Sequence, residues 1–201
     1  PGRRDAERLG GFRRLLGADL YVAAVFEAFS RVPLALTALD HRPQAWEMAR
    51  LFRAAARAFA VPKYVITDLG TEFTGGRFRA AVRRLGSQHR FASAENIYAT
   101  ARLERFWLTL KNSARLRLLG RPLTTEDLER RLEAALTHYL LYRPHGGLGG
   151  AVPAEVFLGI ESLHVQAVEA PRGRRGDPPV TAPFSLGALD DAGRFPILKA
   201  A

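Results

Sequence analysis

The sequence has no cysteine, a single methionine and only three lysines, Lys63, Lys111 and Lys199. Without cysteine there is no disulfide, no thiolate zinc site and no cysteine nucleophile. No apolar run approaches the roughly 20 residues needed to cross a bilayer. No secretory leader is visible at the start, so a cytoplasmic, nucleoid-associated protein is expected. There is no glycine-rich nucleotide loop and no internal repeat, which argues against an ATP-dependent enzyme or a solenoid. Because lysine is scarce, the basic excess is arginine: Lys and Arg total 30 against 20 Asp and Glu, a net charge of +10 and a pI near 10.9. Such a balance suits a polyanionic partner, nucleic acid first, because each phosphate contact releases counterions.

What is present reads as an α/β domain. The 201 residues are 47% hydrophobic and 25% charged, enough for one core with an appendage. Pro1 to Arg8 are polar and patternless, an expected frayed end. Leu20 to Phe26 and Val32 to Leu39 are apolar runs joined through Ser30-Arg31, which predicts an antiparallel strand pair. Pro43 fits the first turn of a helix in which Trp46, Phe52 and Phe59 recur at core spacing. Tyr64 to Thr67 is β-rich and delivers Asp68 at a strand end; Gly70, Gly75 and Gly76 predict a loose loop after it. A helix follows around Phe78 to Leu85, then a strand at His89 to Ala92. Helices are expected over about 101–119 and from a Thr124 or Thr125 cap to Tyr142, with a last short one from Pro153. Past Ala170, Pro-Arg-Gly-Arg-Arg-Gly-Asp-Pro-Pro reads as a linker whose Arg172, Arg174 and Arg175 could bind DNA nonspecifically, or simply solubilise it.

The most specific feature is Asp68-Leu69-Gly70-Thr71-Glu72-Phe73 taken with Leu103-Glu104-Arg105-Phe106-Trp107, the two carboxylates separated by 35 residues. Thr109-Leu110-Lys111, Tyr142-Arg143-Pro144-His145-Gly146-Gly147 and Pro153-Ala154-Glu155 follow, and Ser30-Arg31 precedes. In this order the words resemble the integrase core of bacterial insertion-sequence DDE transposases, related to retroviral integrases, over roughly residues 20–159. The resemblance implies a ribonuclease H-like fold, a mixed five-stranded sheet flanked by helices. It implies a core over residues 1–160, shortened at its start, and a linker with a small tail over 161–201. It also implies metal-dependent DNA cleavage and strand transfer, with two Mg2+ (or Mn2+) ions, DNA ends and target as partners, a homo-multimer on DNA, and neither membrane nor small-molecule substrate.

Carboxylates suit that chemistry, because in-line displacement at phosphorus is served by two hard cations that take oxygen ligands. The resemblance makes Asp68 and Glu104 catalytic metal ligands and Lys111, Arg105, Arg143 and His145 DNA contacts. It also requires a first Asp on the opening strand, near Gly10, where the sequence reads Leu9-Gly10-Gly11-Phe12. Asp5 and Asp19 are the nearest substitutes, one in the expected frayed end and the other at the hairpin on the wrong side. Glu27 stands where the family carries Asp, and Thr100-Ala101 where it carries Asn-Gly. The resemblance leads to the expectation of a core without the upstream region that recognises element ends.

Each residue also has a plainer role. Asp68 alone would be a turn residue and Glu104 a solvated helix charge; their shared context favours ligation. Glu72 reads as a structural carboxylate rather than a third ligand. His89 and His145 read as hydrogen-bonded or surface groups, His145 with a possible phosphate contact, and Lys111 could be a solvated lysine. Trp107 is core. The expectation is therefore a decayed transposase core. Competing readings are a non-enzymatic DNA-binding remnant or domesticated scaffold, and a ribonuclease H-like nuclease acting on RNA hybrids or junctions, which the Asp68–Glu104 spacing disfavours.

Overall fold

A computed structural model describes residues 7–15, 20–92, 97–114 and 124–160. Asp5, Asp19, the linker arginines Arg172, Arg174 and Arg175, and the tail lie outside the described residues. Five strands form one sheet in the order β3-β2-β1-β4-β5. They are β1 (Glu7–Leu15), β2 (Leu20–Glu27), β3 (Pro33–Leu39), β4 (Tyr64–Thr67) and β5 (Gln88–Phe91). β1 is central: it pairs antiparallel with β2, Gly10 opposite Val25 and Gly11 opposite Ala24, and parallel with β4. The expected frayed end therefore gives way to pairing from Glu7 onward, with Glu7 beside Tyr64 and Arg8 beside Val65. Sequence polarity missed this because a strand between two others is held by backbone hydrogen bonds on both edges.

β2 and β3 are buried at almost every position, so both faces of that part of the sheet are covered. One helix group is α1 (Ala45–Ala58), the single turn α2 (Thr71–Thr74) and α3 (Gly76–Arg84); the other is α4 (Ile97–Ser113), α5 (Thr125–Leu141) and α6 (Pro153–Leu158). α1 buries Met48, Ala49, Leu51, Phe52, Ala55 and Ala56 as one stripe. Pro43 stands outside the helix, before the Gln44 cap, whose N–H donates to Glu47 Oε2 at 2.8 Å. Trp46 is a correction. At 3.6 residues per turn it falls away from that stripe and is 40% exposed. Its indole N–H donates to Gln44 Oε1, and Arg50 lies over its ring.

The loop expected after Asp68 is also more regular than its glycines suggest. The Gly70 carbonyl accepts from the N–H groups of Phe73 and Thr74 at 3.0 and 2.9 Å, starting α2. Phe73 then packs edge-on to Phe78, which also meets Phe52 and His89. The Thr124 hydroxyl accepts from Asp127 N–H and caps α5, as its sequence implies. Pro153 opens α6, with Glu155 accepting from Val152 N–H.

Phe78 is 1% exposed and joins α3 to α1, α2 and β5. Phe78→Ala should cost about 3–5 kcal/mol of unfolding free energy, measured by denaturant titration; a loss below about 1 kcal/mol would show that the site collapses around the gap.

Candidate active site and basic cavity

Asp68 leaves β4 at the open end of its strand, exposed, with Oδ1 accepting from Gly70 N–H at 3.0 Å. Glu72, four residues on, is buried with a relative exposure of 2%. Its Oε2 receives Arg42 Nη2 and the Thr71 hydroxyl, each at 3.4 Å, while Oε1 is buried without a hydrogen-bond partner among the described residues. Gly70 makes this possible. A Cβ there would fall on Glu72 Oε1 and lie 3.0 Å from Asp68 Oδ1, so the two carboxylates converge on the space the missing side chain leaves.

The strand register can be followed toward Asp68. β1 and β4 run parallel with Leu9 beside Ile66; continued by two residues, that register sets Gly11, rather than Gly10, level with Asp68. Glu104 is exposed on α4, the helix that lies against β1. Among the described residues no group of three or more His, Asp or Glu is arranged to hold a metal ion. The described side chains thus offer acidic groups on two elements but no complete ligand set.

The basic residues come together elsewhere. Arg105, Arg143 and His145 line a single cavity of about 550 Å³ with Arg31 and Arg102, over Tyr139. No Asp or Glu is among its lining residues. Lys111, farther along α4, is half-buried and does not line it. Sequence reasoning missed Arg31 and Arg102. The signal for Arg31 was present in Ser30-Arg31, whose role depends on the turn that Glu27 builds. Glu27 accepts from Phe29 N–H at 2.9 Å and from Ser30 N–H at 2.6 Å, and also from the Ser30 hydroxyl. Arg31 closes that turn at φ +66°, a conformation uncommon outside glycine.

His145 faces this charge. Burial, then Arg31 and Arg143, push its pKa down to about 4, against a hydrogen bond to the Tyr139 backbone. Its Nε2 is buried without a hydrogen-bond partner among the described residues, and its ring meets Tyr139 edge-on at 4.8 Å. His89 is structural: Nε2 lies 2.8 Å from the Thr67 hydroxyl, between Phe78 and Phe91, and burial lowers its pKa.

No family model matches the sequence. The transposase for insertion sequence element IS904 of Lactococcus lactis subsp. lactis (strain IL1403) is 26% identical over 141 residues, covering 68% of this chain and 54% of that protein. The catalytic core of BIV integrase superposes with a TM-score of 0.59 at 19% identity, covering 77% of this chain and 94% of that one. The HTLV-2 integrase core in complex with magnesium superposes at 0.58 in its trimeric form, with 15% identity and coverage of 75% and 95%. Its dimeric form gives 0.54 at the same identity, covering 75% and 94%. The chain is thus similar in sequence to an insertion-sequence transposase and in fold to retroviral integrase catalytic cores. That fold is ribonuclease H-like, with mixed α and β structure. The chain spans about half the length of the curated relative it matches. Among the described residues no helix is long and apolar enough to cross a membrane.

His145 generates a pH prediction. An unfolded histidine with an ordinary pKa near 6.5 takes up its proton before the folded one does. The unfolded state therefore binds more protons between pH 6.5 and about 4, and this group's contribution to stability falls as pH drops through that window. His89 acts in the same sense; His41, raised by its hydrogen bonds to Asp40 and Glu47, acts in the opposite one. NMR titration should find the His145 ring neutral at pH 6, and a midpoint at or above 6.5 would contradict the geometry described.

Proposed function

We propose that this domain is a DDE-type transposase core that engages DNA and whose cleavage and strand-transfer centre lacks its first carboxylate. The observation that carries the reading is the register of the central strand, which sets Gly11 level with Asp68. Asp68 and Glu104 are the carboxylates that would hold a divalent ion, with Arg105, Arg143 and His145 as DNA contacts and Lys111 as a further one. Such ions would polarise phosphate oxygens and activate water or a 3′-hydroxyl. The ligand set among the described residues does not fit two ions, so no step is assigned through them. Asp68 can orient the Gly70 turn, and the arginines can hold the phosphate backbone whether or not cleavage follows.

Support for a DNA partner comes from the relationship to an insertion-sequence transposase and from the clustered arginines. Support for self-association comes from the trimeric and dimeric forms of the HTLV-2 core. A soluble, cytoplasmic protein follows from the same relationship. A second reading, a non-enzymatic DNA-binding remnant or scaffold, is favoured by Gly11 together with a cavity whose charge is independent of the acidic site.

Purified full chain given nicked and blunt duplexes with Mg2+ or Mn2+ should show no strand cleavage or transfer above background. Gly11→Asp should raise the yield by on the order of tenfold or more, whereas Gly10→Asp, one register step away, should not. Robust magnesium-dependent transfer by the unaltered chain would overturn the missing-carboxylate reading. Thermal melting of both variants separates failure to fold from failure to react.

A further inference from the structure

The basic cavity is assembled with care that a merely solvated charge cluster would not need. Four guanidiniums, from Arg31, Arg102, Arg105 and Arg143, reach it from three separate segments: the β2–β3 turn, α4 and the loop after α5. Like charges brought together cost free energy unless an anion enters, and no carboxylate lines the space.

Two backbone features serve Arg31 in particular. The residue holds a left-handed φ of +66° although it is not glycine, a conformation that stores backbone strain. Opposite it stands Gly147, where a Cβ would fall on Arg31 Nη2 and lie 3.1 Å from Nη1. A Cβ at position 147 would displace the Arg31 guanidinium, the flexible end of that side chain, from its present seat, and the backbone there has no positive φ of its own to require glycine. The turn is also braced from outside: Tyr139 Oη donates to the Arg31 carbonyl at 3.1 Å, and Arg102 Nη1 donates to the Ala28 carbonyl at 3.0 Å. Arg31 is partly desolvated, which lowers its pKa, and Arg102 adds to that. A half-buried guanidinium, a buried imidazole nitrogen without a partner and a volume of about 550 Å³ make a recess for an anion larger than a simple ion.

We propose that this cavity clasps a backbone phosphate of a DNA strand, with its sugar, on the Arg31 and Arg143 guanidiniums, and that Gly147 exists to let Arg31 reach it. The inference rests on the nucleic-acid reading above and assigns it a site distinct from the carboxylates. Arg31 supplies a planar fork that matches two phosphate oxygens. His145 lies beside it, neutral in the empty cavity, and gains a proton more readily once a phosphate offsets the arginines. A free phosphate or nucleotide would satisfy the same chemistry. The strand is favoured because four cations from three elements outnumber the charge of one phosphate and suit a continuous polyanion.

The test is fluorescence anisotropy of the full chain with a short labelled duplex, between about 50 and 200 mM salt. Arg31→Gln and Arg143→Gln should each weaken binding by about tenfold and flatten the salt dependence by about one unit of slope. Gly147→Ala keeps every charge and alters only the seat of Arg31, and it should reproduce the loss in affinity. Arg57→Gln, an exposed arginine on α1, is the control and should change affinity by less than about twofold. Melting curves show that each variant is folded. If Gly147→Ala and Arg31→Gln behave like the control while the unaltered chain binds duplex, the cavity proposal fails and the nucleic-acid reading stands. If the unaltered chain binds no duplex, both fail. If the His145 ring resonances move with inorganic phosphate but not with duplex, the occupant is a free phosphate and the strand proposal is overturned.

Discussion

The architecture depends on β1, a strand that pairs on both edges and changes the sense of the sheet from antiparallel to parallel. The β2–β3 hairpin sits on one side of it and the β4–β5 pair on the other. Its own residues are poor strand formers, with Gly10 and Gly11 adjacent at its middle. Backbone hydrogen bonds to two neighbours, both with buried apolar residues, hold it where propensity would not. The consequence is chemical. The position that faces the end of β4 is fixed by pairing, so whichever residue occupies it stands beside Asp68.

Much of this was legible in the sequence where apolar periodicity and turn chemistry agreed. Tyr64 to Thr67 reads as a strand and is one, and Thr124 reads as a cap and accepts the Asp127 N–H. The failures share a cause: tertiary neighbours decided what local pattern could not. Glu7 and Arg8 look like a frayed end because nothing in them announces partners on both sides. Trp46 keeps helical spacing with the core yet lies beyond the stripe that α1 buries. The glycines after Asp68 suggest looseness, but Gly70 is there because Glu72 fills the volume its side chain would take. Arg31 and Arg102 were invisible as site residues because their cavity is built by segments far apart in sequence.

Among the described residues two clusters of opposite charge stand apart. Acidic groups gather at the end of β4, where Glu72 is neutralised in part by Arg42. Arginines gather between the β2–β3 turn, α4 and the loop after α5, where no acid lines the cavity. Glu27, the carboxylate nearest in sequence to Arg31, is committed to three hydrogen bonds from Phe29 and Ser30. Its negative charge shapes the turn that presents Arg31. The two clusters stand on different elements, Asp68 and Glu72 at the end of β4 and in the turn after it, and Arg31, Arg102, Arg105 and Arg143 around the cavity.

Three glycines express that separation. Gly70 and Gly147 each leave room that a charged side chain fills: a carboxylate lies where the first would carry its Cβ, and a guanidinium where the second would. Gly11 has no comparable demand from pairing, since it stands in a regular antiparallel register opposite Ala24 and an extended strand accepts any side chain that its faces can hold. Among the described residues, then, two glycines are each matched to a charged side chain, one acidic beside Asp68 and one basic in the cavity.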